Sequence, residues 1–263
     1  MIDTIELLAL AERAARSAGE LLRARLYGPV SGLAYKSSST DPVSDADRDA
    51  ETAILGLLRA ARPDDAMLGE EGTAEQGASG LRWVIDPLDG TVNYLYGQPA
   101  FAVSIACEDD QGGLVAVVHQ PTSGETFSAR RGGGATLDGA RLSINRPAAL
   151  EQALVATGFS YDRARRELQG RLVARVLPRV RDVRRGGSAA LDLAWVAQGR
   201  LDGYYEHGLN AWDWAGGALL VQEAGGRVLR LPAAGGLPEA LVAGDGALVD
   251  ALAALIADDG AAA

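Results

Sequence analysis

The chain is poor in cysteine, histidine and aromatic residues, and it has no long apolar run. It has 263 residues and a single cysteine, Cys107, so no internal disulfide can form and the cytoplasm is the expected compartment. A membrane-spanning helix needs roughly 18 consecutive apolar residues, and none is present. The N-terminal segment carries Asp3, Glu6 and Glu12 where a secretory signal would have a basic region before an apolar run. A disulfide-stapled, secreted or membrane-embedded protein is therefore not expected.

Positive charge is also in deficit, because 25 Lys and Arg stand against 35 Asp and Glu, which leaves a net charge of −10. Such a surface does not attract polyphosphate, so nucleic-acid binding is not expected. A small anionic substrate would need a local positive device such as a helix N-terminus, a basic pocket or a bound cation. Apolar residues at 48% and charged residues at 23% are typical of a globular chain, and the length suits about two domains or one large α/β domain.

Apolar periodicity and turn residues predict alternating helices and short strands. Helices are predicted at 3–26, at 44–62 with Ser44 as N-cap, and at 162–177, 188–199, 213–224 and 251–263. Strands are predicted at 83–86, 101–107, 114–119, 125–129, 135–137, 140–144, 153–157, 180–185, 201–205, 226–231 and 240–243. Ile5, Leu8, Ala11, Ala15, Ala18, Leu22 and Leu26 are predicted to form the buried face of the first helix, and Ala46, Ala50, Ala53, Ile54, Leu57 and Ala61 that of the second. An exposed loop is predicted at 28–43, and Asp138-Gly139 predicts a two-residue hairpin turn.

The most informative segment is 83–93, WVIDPLDGTVN, where a buried strand runs into Asp86 and Asp89. Pro87 fixes φ and predicts a bend that lets the two carboxylates converge. Together with the Leu88 carbonyl they form a set of hard oxygen donors of the kind that Mg²⁺ prefers. Asp-Pro and Asp-Gly alone are common turn dipeptides, but the strand context and the acids elsewhere favour a metal site.

Residues beside this segment extend the candidate site. Gly90 lets backbone approach a ligand closely, and Thr91 adds a hydroxyl at the start of a possible helical turn. Two further acids are available, Glu70 in the GEEG sequence at 69–72 and Asp213 in WDWAGG. Taken singly, Glu70 is interpreted as a solvated surface residue and Asp213 as a helix cap.

In combination these segments resemble the inositol monophosphatase family of Mg²⁺-dependent, typically lithium-sensitive phosphatases. The resemblance covers nearly the whole chain and rests mainly on WVIDPLDGTVNY at 83–94 and AWDWAGGALLVQEAGG at 211–226. Weaker marks are GEEG at 69–72, DPVSDAD at 41–47, GGGATLDGARL at 132–142, ATGFSYDR at 156–163 and GGSAALDLAWVAQGRLDGYYE at 186–206. It implies an α+β fold, a layered αβαβα sandwich, with an N-terminal half at 1–145 that carries most metal ligands and a C-terminal half at 146–263 that carries substrate-site residues and the last ligand.

The same resemblance implies a role for each matching residue. Glu70, Asp86 and the Leu88 carbonyl match the ligands of one Mg²⁺, and Asp86, Asp89 and Asp213 match those of a second, with a third, weaker ion near Glu70. Asp47 and Thr91 match a pair that helps to activate the attacking water, and Glu70 is expected to take part in catalysis. Gly90, Thr91, Gly187, Ser188, Ala189, Glu206 and Asp213 match substrate-binding positions, with Glu206 accepting hydrogen bonds from sugar hydroxyls.

The expected function is hydrolysis of inositol 1-phosphate or a related sugar-alcohol phosphate. Histidinol phosphate, fructose 1,6-bisphosphate and 3′-phosphoadenosine 5′-phosphate are alternative substrates on the same metal core, and a non-catalytic regulatory binding module is the alternative of a different class. The resemblance also implies a cytoplasmic homodimer that binds neither nucleic acid nor membrane. Lys36 is expected near the third ion, Cys107 is expected to be buried and inert, and His207 is expected at the rim. Arginines between 163 and 185 are interpreted either as solvated faces or as a patch that guides an anionic substrate or contacts a second subunit: Arg163, Arg165, Arg166, Arg171, Arg175, Arg179, Arg181, Arg184 and Arg185.

Overall fold

The computed structural model describes residues 3–28, 31–36 and 42–257, and its elements are numbered here along the chain. The helices are α1 Thr4–Arg25, α2 Asp45–Ala61, α3 Thr91–Leu95, α4 Arg163–Val176, α5 Ala189–Gln198, α6 Ala211–Glu223 and α7 Gly246–Ala257. The strands are β1 Ala34–Tyr35, β2 Pro42–Val43, β3 Ala66–Gly69, β4 Ala74–Glu75, β5 Arg82–Asp89, β6 Ala102–Asp109, β7 Gly112–His119, β8 Thr126–Arg130, β9 Gly134–Leu137, β10 Ala140–Arg141, β11 Leu154–Thr157, β12 Asp182–Arg184, β13 Gly203–His207, β14 Arg227–Leu231 and β15 Ala240–Gly244. Residues 29–30 and 37–41 of the predicted loop, Asp41 of the 41–47 motif, and 258–263 of the predicted last helix lie outside the described residues.

The larger sheet has eight strands in the order β10-β9-β8-β7-β6-β5-β3-β4, and all neighbours are antiparallel except β3 and β5. The predicted hairpin turn joins β9 to β10, with φ of +47° at Asp138 and +84° at Gly139. Two successive positive φ values are typical of the type I′ turn that suits a twisted hairpin. The prediction of this turn is confirmed, although β10 ends at Arg141 and not at Ile144.

The smaller sheet has five strands in the order β12-β11-β13-β15-β14. Strand β11 pairs in parallel with β12 and β13, whereas β15 pairs antiparallel with β13 and β14. The expected division between residues 145 and 146 lies between β10, the last strand of the larger sheet, and β11, the first strand of the smaller one.

Three large apolar clusters define the layers. One joins α1 and α2 to the first face of the larger sheet, a second places α5 and α6 between the two sheets, and a third joins α4 and α7 to the far face of the smaller sheet. Strand β7 shows the principle, since Val115 and Val117 join the first cluster while Ala116 and Val118 join the second. Each fully buried side chain such as Val117 contributes about 1.5–3 kcal/mol. The predicted αβαβα sandwich is therefore confirmed.

The buried faces of α1 and α2 differ from the prediction. Ile5 is 66% exposed and Leu57 is 38% exposed, whereas Leu55 and Leu58 are buried. Ala53 and Ala61 also lie off the buried face of α2. For α2 the physical reason is that its buried face includes two carboxylates, Asp47 and Glu51. A prediction that uses apolar residues alone therefore assigns the buried face to the wrong side of the helix.

Several element ends also differ from the prediction. Helix α6 begins two residues before Asp213, and α7 begins at Gly246 and not at residue 251. The strand predicted at 180–185 is shortened to Asp182–Arg184 because a turn of 3₁₀ helix precedes it. Among the described residues, no helix combines the length and the apolar character needed to cross a membrane.

Candidate active site

A cavity of about 560 Å³ opens where the end of β5, the N-termini of α5 and α6, and the end of β13 meet. Of the residues predicted to form the site, the following line this cavity: Glu70, Asp86, Leu88, Asp89, Gly90, Thr91, Gly187, Ala189, Glu206 and Asp213. Asp47 and Ser188 lie just behind the wall, where they hydrogen-bond to Thr91 and Asp89. The structure therefore brings together residues from widely separated parts of the chain.

A β-bulge at the end of β5 brings Asp86 and Asp89 to the same side of the sheet. Asp86 pairs with Ser104 and Asp89 with Ala102, so two residues of β5 lie opposite the single Val103 of β6. In a regular strand, residues three apart point to opposite faces, and one extra residue corrects this. Leu88 packs into the cluster with α1 and α2.

Pro87 fits the extra position of this bulge, since it has no N–H to donate to the ladder. The bend predicted from Pro87 thus takes the form of a bulge within a continuous strand, and both carboxylates reach the cavity.

Asp89 lies at the N-terminus of α5. Its Oδ2 accepts hydrogen bonds from the Ser188 hydroxyl at 2.6 Å and from the Ala190 amide at 2.7 Å. Ser188 is also the N-cap of α5, because its Oγ accepts from the Leu191 amide. The positive end of the helix dipole and these donors fix the orientation of the carboxylate.

Gly90 connects this strand to α3 and has a φ of +97°. A Cβ at this position would lie 2.9 Å from the Ala100 carbonyl oxygen, so both the conformation and the space require glycine. The turn directs Thr91 toward α2, where its Oγ1 lies 3.0 Å from Asp47 Oδ1 and 3.1 Å from the Leu88 carbonyl oxygen.

Asp47 is 1% exposed and forms the capping box of α2 with Ser44. Its Oδ2 accepts from the Ser44 amide and hydroxyl at 2.8 and 2.7 Å, which leaves Oδ1 for the Thr91 hydroxyl. The single hydroxyl hydrogen of Thr91 can go to only one acceptor at a time. When Asp47 takes it, both lone pairs of Thr91 Oγ1 can accept from a ligand or water.

Glu70 and Glu71 share one cation. Lys36 Nζ lies 2.9 Å from Glu70 Oε1 and 2.6 Å from Glu71 Oε1. The Glu70 side chain is 23% exposed, so its interpretation as a freely solvated surface group is wrong. Burial raises the pKa of Glu71 to about 7 against the opposing effect of Lys36.

The turn that carries Glu70 and Glu71 is anchored by Glu51. This carboxylate, 4% exposed, accepts from the Glu71 amide at 2.9 Å and from the Thr73 hydroxyl at 2.6 Å. It lies so close to Gly69 that a Cβ there would be 2.5 Å from Glu51 Oε2. Glu51 was not predicted from the sequence, although it lies four residues after Asp47 and therefore on the same face of α2.

Asp213 lies in the first turn of α6 and lines the cavity. Its Oδ2 accepts from the Asn210 amide at 2.6 Å, so it does act as a helix cap. Burial and then the charge of Asp89 raise the pKa of Asp213 well above its usual range. Burial, followed by the charges of Glu70, Asp89 and Asp213, likewise raises the pKa of Asp86.

The oxygen donors suit a hard cation, since the wall offers carboxylates, the Leu88 carbonyl and the Thr91 hydroxyl. The mutual repulsion that raises the pKa of Asp86 is the kind of cost that a divalent cation would offset. Within residues 3–28, 31–36 and 42–257, no three His, Cys, Asp or Glu side chains are already grouped tightly enough to hold an ion. The reason is that Glu70 pairs with Lys36 and Asp213 accepts from the Asn210 amide. The types of oxygen donor in the wall therefore fit a divalent cation, although these two side chains now engage other partners.

The opposite wall of the cavity comes from β13 and α5. Glu206 Oε2 accepts from the buried Tyr204 hydroxyl at 2.6 Å, and burial raises the pKa of Glu206 to about 7. Asp192 lines the same wall and was also missed, although a charged residue inside the apolar run AALDLAWVA is a detectable signal. Of the nine arginines discussed above, Arg165 and Arg185 reach the cavity.

Comparisons with known proteins agree on one family. A sequence profile described as "Inositol monophosphatase family" matches residues 3–258. The inositol-1-monophosphatase of Mycobacterium bovis is 45% identical over 231 residues, which cover 84% of this chain and 80% of that protein. A Pseudomonas aeruginosa protein named Nus factor SuhB is 45% identical over 228 residues, covering 84% of each chain. The solved structure of Mycobacterium tuberculosis SuhB superposes with a TM-score of 0.83 at 39% identity, covering 99% of both chains.

Proposed function

This chain belongs to the inositol monophosphatase family of phosphatases, and from that premise we propose that it is a Mg²⁺-dependent phosphomonoesterase acting on inositol 1-phosphate or a related sugar-alcohol phosphate. One observation carries the proposal. Four carboxylates from three separate segments of the chain line one cavity: Glu70 after β3, Asp86 and Asp89 in β5, and Asp213 in α6.

In this proposal the carboxylates hold two to three Mg²⁺ ions. Glu70, Asp86 and the Leu88 carbonyl would hold one, and Asp86, Asp89 and Asp213 a second, with a third near Glu70 and Lys36. When bound, such ions lower the pKa of water and neutralise charge on the phosphate oxygens. Ser188 and the Ala190 amide occupy Asp89 Oδ2 and leave Oδ1 for a ligand.

The Asp47 and Thr91 pair would orient the attacking water. With its hydrogen donated to Asp47 Oδ1, Thr91 Oγ1 can accept one hydrogen of the water and direct a lone pair of the water at phosphorus. Glu70 would assist in catalysis, and the Gly90 and Thr91 amides would donate to phosphate oxygens. The water oxygen bonds to phosphorus as the bond from phosphorus to the alcohol oxygen breaks. The water gives up one proton to the solvent, and the alcohol oxygen takes one up from it, so that one water is consumed for each phosphate released.

The alcohol would lie against the Glu206 wall. Ionised Glu206 is acceptor-only and is held in place by Tyr204, which suits the hydroxyl donors of a polyol. Gly187, Ala189 and Asp213 would line the alcohol side, whereas Ser188, which was expected there, lies behind the wall and holds Asp89. Histidinol phosphate, fructose 1,6-bisphosphate and 3′-phosphoadenosine 5′-phosphate remain alternatives that share the metal core.

A phosphate-release panel over these four substrates tests the proposal, with Mg²⁺ and with EDTA. We expect release only with Mg²⁺, the highest kcat/KM for inositol 1-phosphate, and inhibition by lithium. Asp89→Asn should lower kcat by at least about 100-fold, because it removes a charge that would bind the ion. Asp110→Asn, an exposed residue in the β6–β7 turn, is the matched control. A higher kcat/KM for histidinol phosphate than for inositol 1-phosphate would overturn the substrate assignment. A wild-type rate of phosphate release in Asp89→Asn would overturn the metal mechanism.

The name Nus factor SuhB, carried by relatives that are 45% and 42% identical, favours a second candidate, a regulatory binding role. The two roles are separable, because a binding role does not require hydrolysis. Asp89→Asn should abolish phosphate release and leave such a role intact. We also propose that the chain is cytoplasmic, which cell fractionation would test, and that it forms a homodimer, which light scattering of the purified chain would test.

A further inference from the structure

A second cavity, of about 260 Å³, lies beside the cluster that joins α4 and α7 to the smaller sheet. Its wall is mostly apolar. Leu168 and Leu172 of α4 face it, together with Leu231 and Leu237 from the chain between β14 and β15 and Ile256 near the end of α7. A concave apolar wall with a few polar groups is the usual form of a site for a small molecule.

The charged groups of this wall are all cationic. Among the residues that the structure describes, Arg171 and Arg175 are the charged side chains that line the cavity. Arg171 Nη2 lies 2.6 Å from Glu167 Oε1 at the exposed surface of α4, so its charge is already offset. Arg175 forms no ion pair with a described residue, and of its three nitrogens Nε alone is sealed from solvent without a partner. The two terminal nitrogens of Arg175 are therefore the ones that can meet a ligand.

His207 adds a neutral polar group to the same wall. Successive side chains of a strand point to opposite faces, and in β13 Tyr204 joins the cluster between the sheets while Tyr205 joins the cluster with α4 and α7. His207 therefore shares the side of Tyr205. Burial lowers the pKa of His207, so near neutral pH its ring is uncharged and offers one N–H donor. A cation and a neutral donor set in an apolar wall match an anionic head group on an apolar body.

We propose that this cavity binds a small organic carboxylate, whose hydrocarbon body lies among the leucines and whose head group pairs with Arg175. A guanidinium can donate two parallel hydrogen bonds to a carboxylate, and a single unpaired cation balances one negative charge better than the two of a phosphate ester. The volume lies just below the range of about 300–1,000 Å³ that is usual for ligand sites, which favours a molecule the size of octanoate over a nucleotide or a two-chain lipid. The site is separate from the proposed phosphatase function, because the two cavities share His207 and no other described residue.

Calorimetric titration of the full chain with octanoate, in the presence of EDTA, tests the proposal without turnover. Without divalent ions the carboxylates of the active-site cavity repel a carboxylate probe, so binding there does not interfere. We expect one site per chain with a Kd of about 1 mM or lower. 1-Octanol, which has the same chain and no charge, should bind at least about 10-fold more weakly.

Two variants assign the binding to this cavity. Arg175→Met keeps most of the hydrocarbon stem and removes the charge, so the Kd for octanoate should rise at least about 10-fold. Leu168→Glu, at a half-buried position, keeps Arg175 and brings a negative charge to the wall, and it should have a similar effect. Arg163→Met changes an exposed arginine of the same helix that does not line the cavity, and as the matched control it should leave the Kd unchanged. Circular dichroism and the unfolding temperature check that each variant is folded.

Three outcomes would overturn the proposal. A wild-type Kd in both folded variants would show that octanoate binds elsewhere on the chain. Equal affinity for octanoate and 1-octanol would show that Arg175 does not select an anion. Binding that is absent in the wild type but present after Asp258→Asn and Asp259→Asn together would show that an acid of the chain itself, and not a separate ligand, competes for the cation.

Discussion

Replacement of Glu51 should weaken both the fold and the proposed metal site, because this one carboxylate anchors the turn that carries Glu70. Glu51→Ala leaves the Glu71 amide and the Thr73 hydroxyl without their acceptor. A buried donor left unpaired costs about 1–3 kcal/mol, and removal of a buried charge offsets part of this. We therefore expect a loss of about 2–3 kcal/mol in the free energy of unfolding, or roughly 5–10 °C in Tm.

The functional effect should appear in metal affinity before it appears in kcat. A loosened turn lets Glu70 stay with Lys36, so the concentration of Mg²⁺ at half-maximal rate should rise about 10-fold, while kcat at saturating Mg²⁺ changes little. Calorimetric titration with Mg²⁺ alone measures the same effect without turnover. Glu51→Gln should rescue much of it, since the amide oxygen can accept from the Glu71 N–H and the NH₂ can donate to Thr73.

Glu20→Gln on the exposed face of α1 is the matched control and should leave Tm and the Mg²⁺ dependence unchanged. The reasoning would be refuted in either of two ways. Glu51→Ala could keep the wild-type Tm, which would mean that its hydrogen bonds contribute nothing net. It could instead lose stability with unaltered Mg²⁺ binding, which would mean that the turn does not position Glu70.

Three further predictions concern single residues around the cavity. Gly90→Ala requires alanine to adopt a φ of +97° and places its Cβ 2.9 Å from the Ala100 carbonyl oxygen. We therefore expect the free energy of unfolding in urea to fall by about 1–3 kcal/mol and kcat to drop at least tenfold. A wild-type free energy of unfolding and kcat would contradict the role of this turn. Ser188→Ala removes an N-cap and a donor to Asp89, so it should lower the free energy of unfolding by about 1 kcal/mol and weaken Mg²⁺ binding, and Ser188→Thr should restore most of both. Burial raises the pKa of Glu206 to about 7 from 4.5, so between these pH values the folded chain holds a proton that the unfolded chain has released. The free energy of unfolding should therefore fall as pH rises from about 4.5 to about 7. Glu206→Gln should flatten this dependence, and equal slopes in the two proteins would refute the prediction.

The sequence predicted the elements that depend on local signals. Ser44 caps α2, Asp138-Gly139 forms the hairpin turn, and the strand that ends in Asp86 and Asp89 leads into a short helix at Thr91. Each depends on dihedral preferences or capping bonds within a few residues, which a single sequence carries.

Contacts between distant segments could not be predicted from the sequence. The bulge depends on how β5 pairs with β6, and the Ser188 to Asp89 bond joins residues 99 positions apart. Glu51 and Asp192 were missed because the sequence marks their burial only weakly, through the spacing from Asp47 and through the apolar run around Asp192, while the neighbours that bury them come from distant segments. For α2, the same buried acids misled the assignment of its apolar face.

The extra residue opposite Val103 decides on which side of the sheet the Asp89 carboxylate lies. If β5 paired with β6 without the bulge, residues three apart would lie on opposite faces, and Asp89 would point to the side where Trp83 and Ile85 meet α1 and α2. An ionised group there would lie among hydrocarbon side chains. A chain that keeps the two carboxylates three positions apart must therefore also keep the irregular pairing of these two strands.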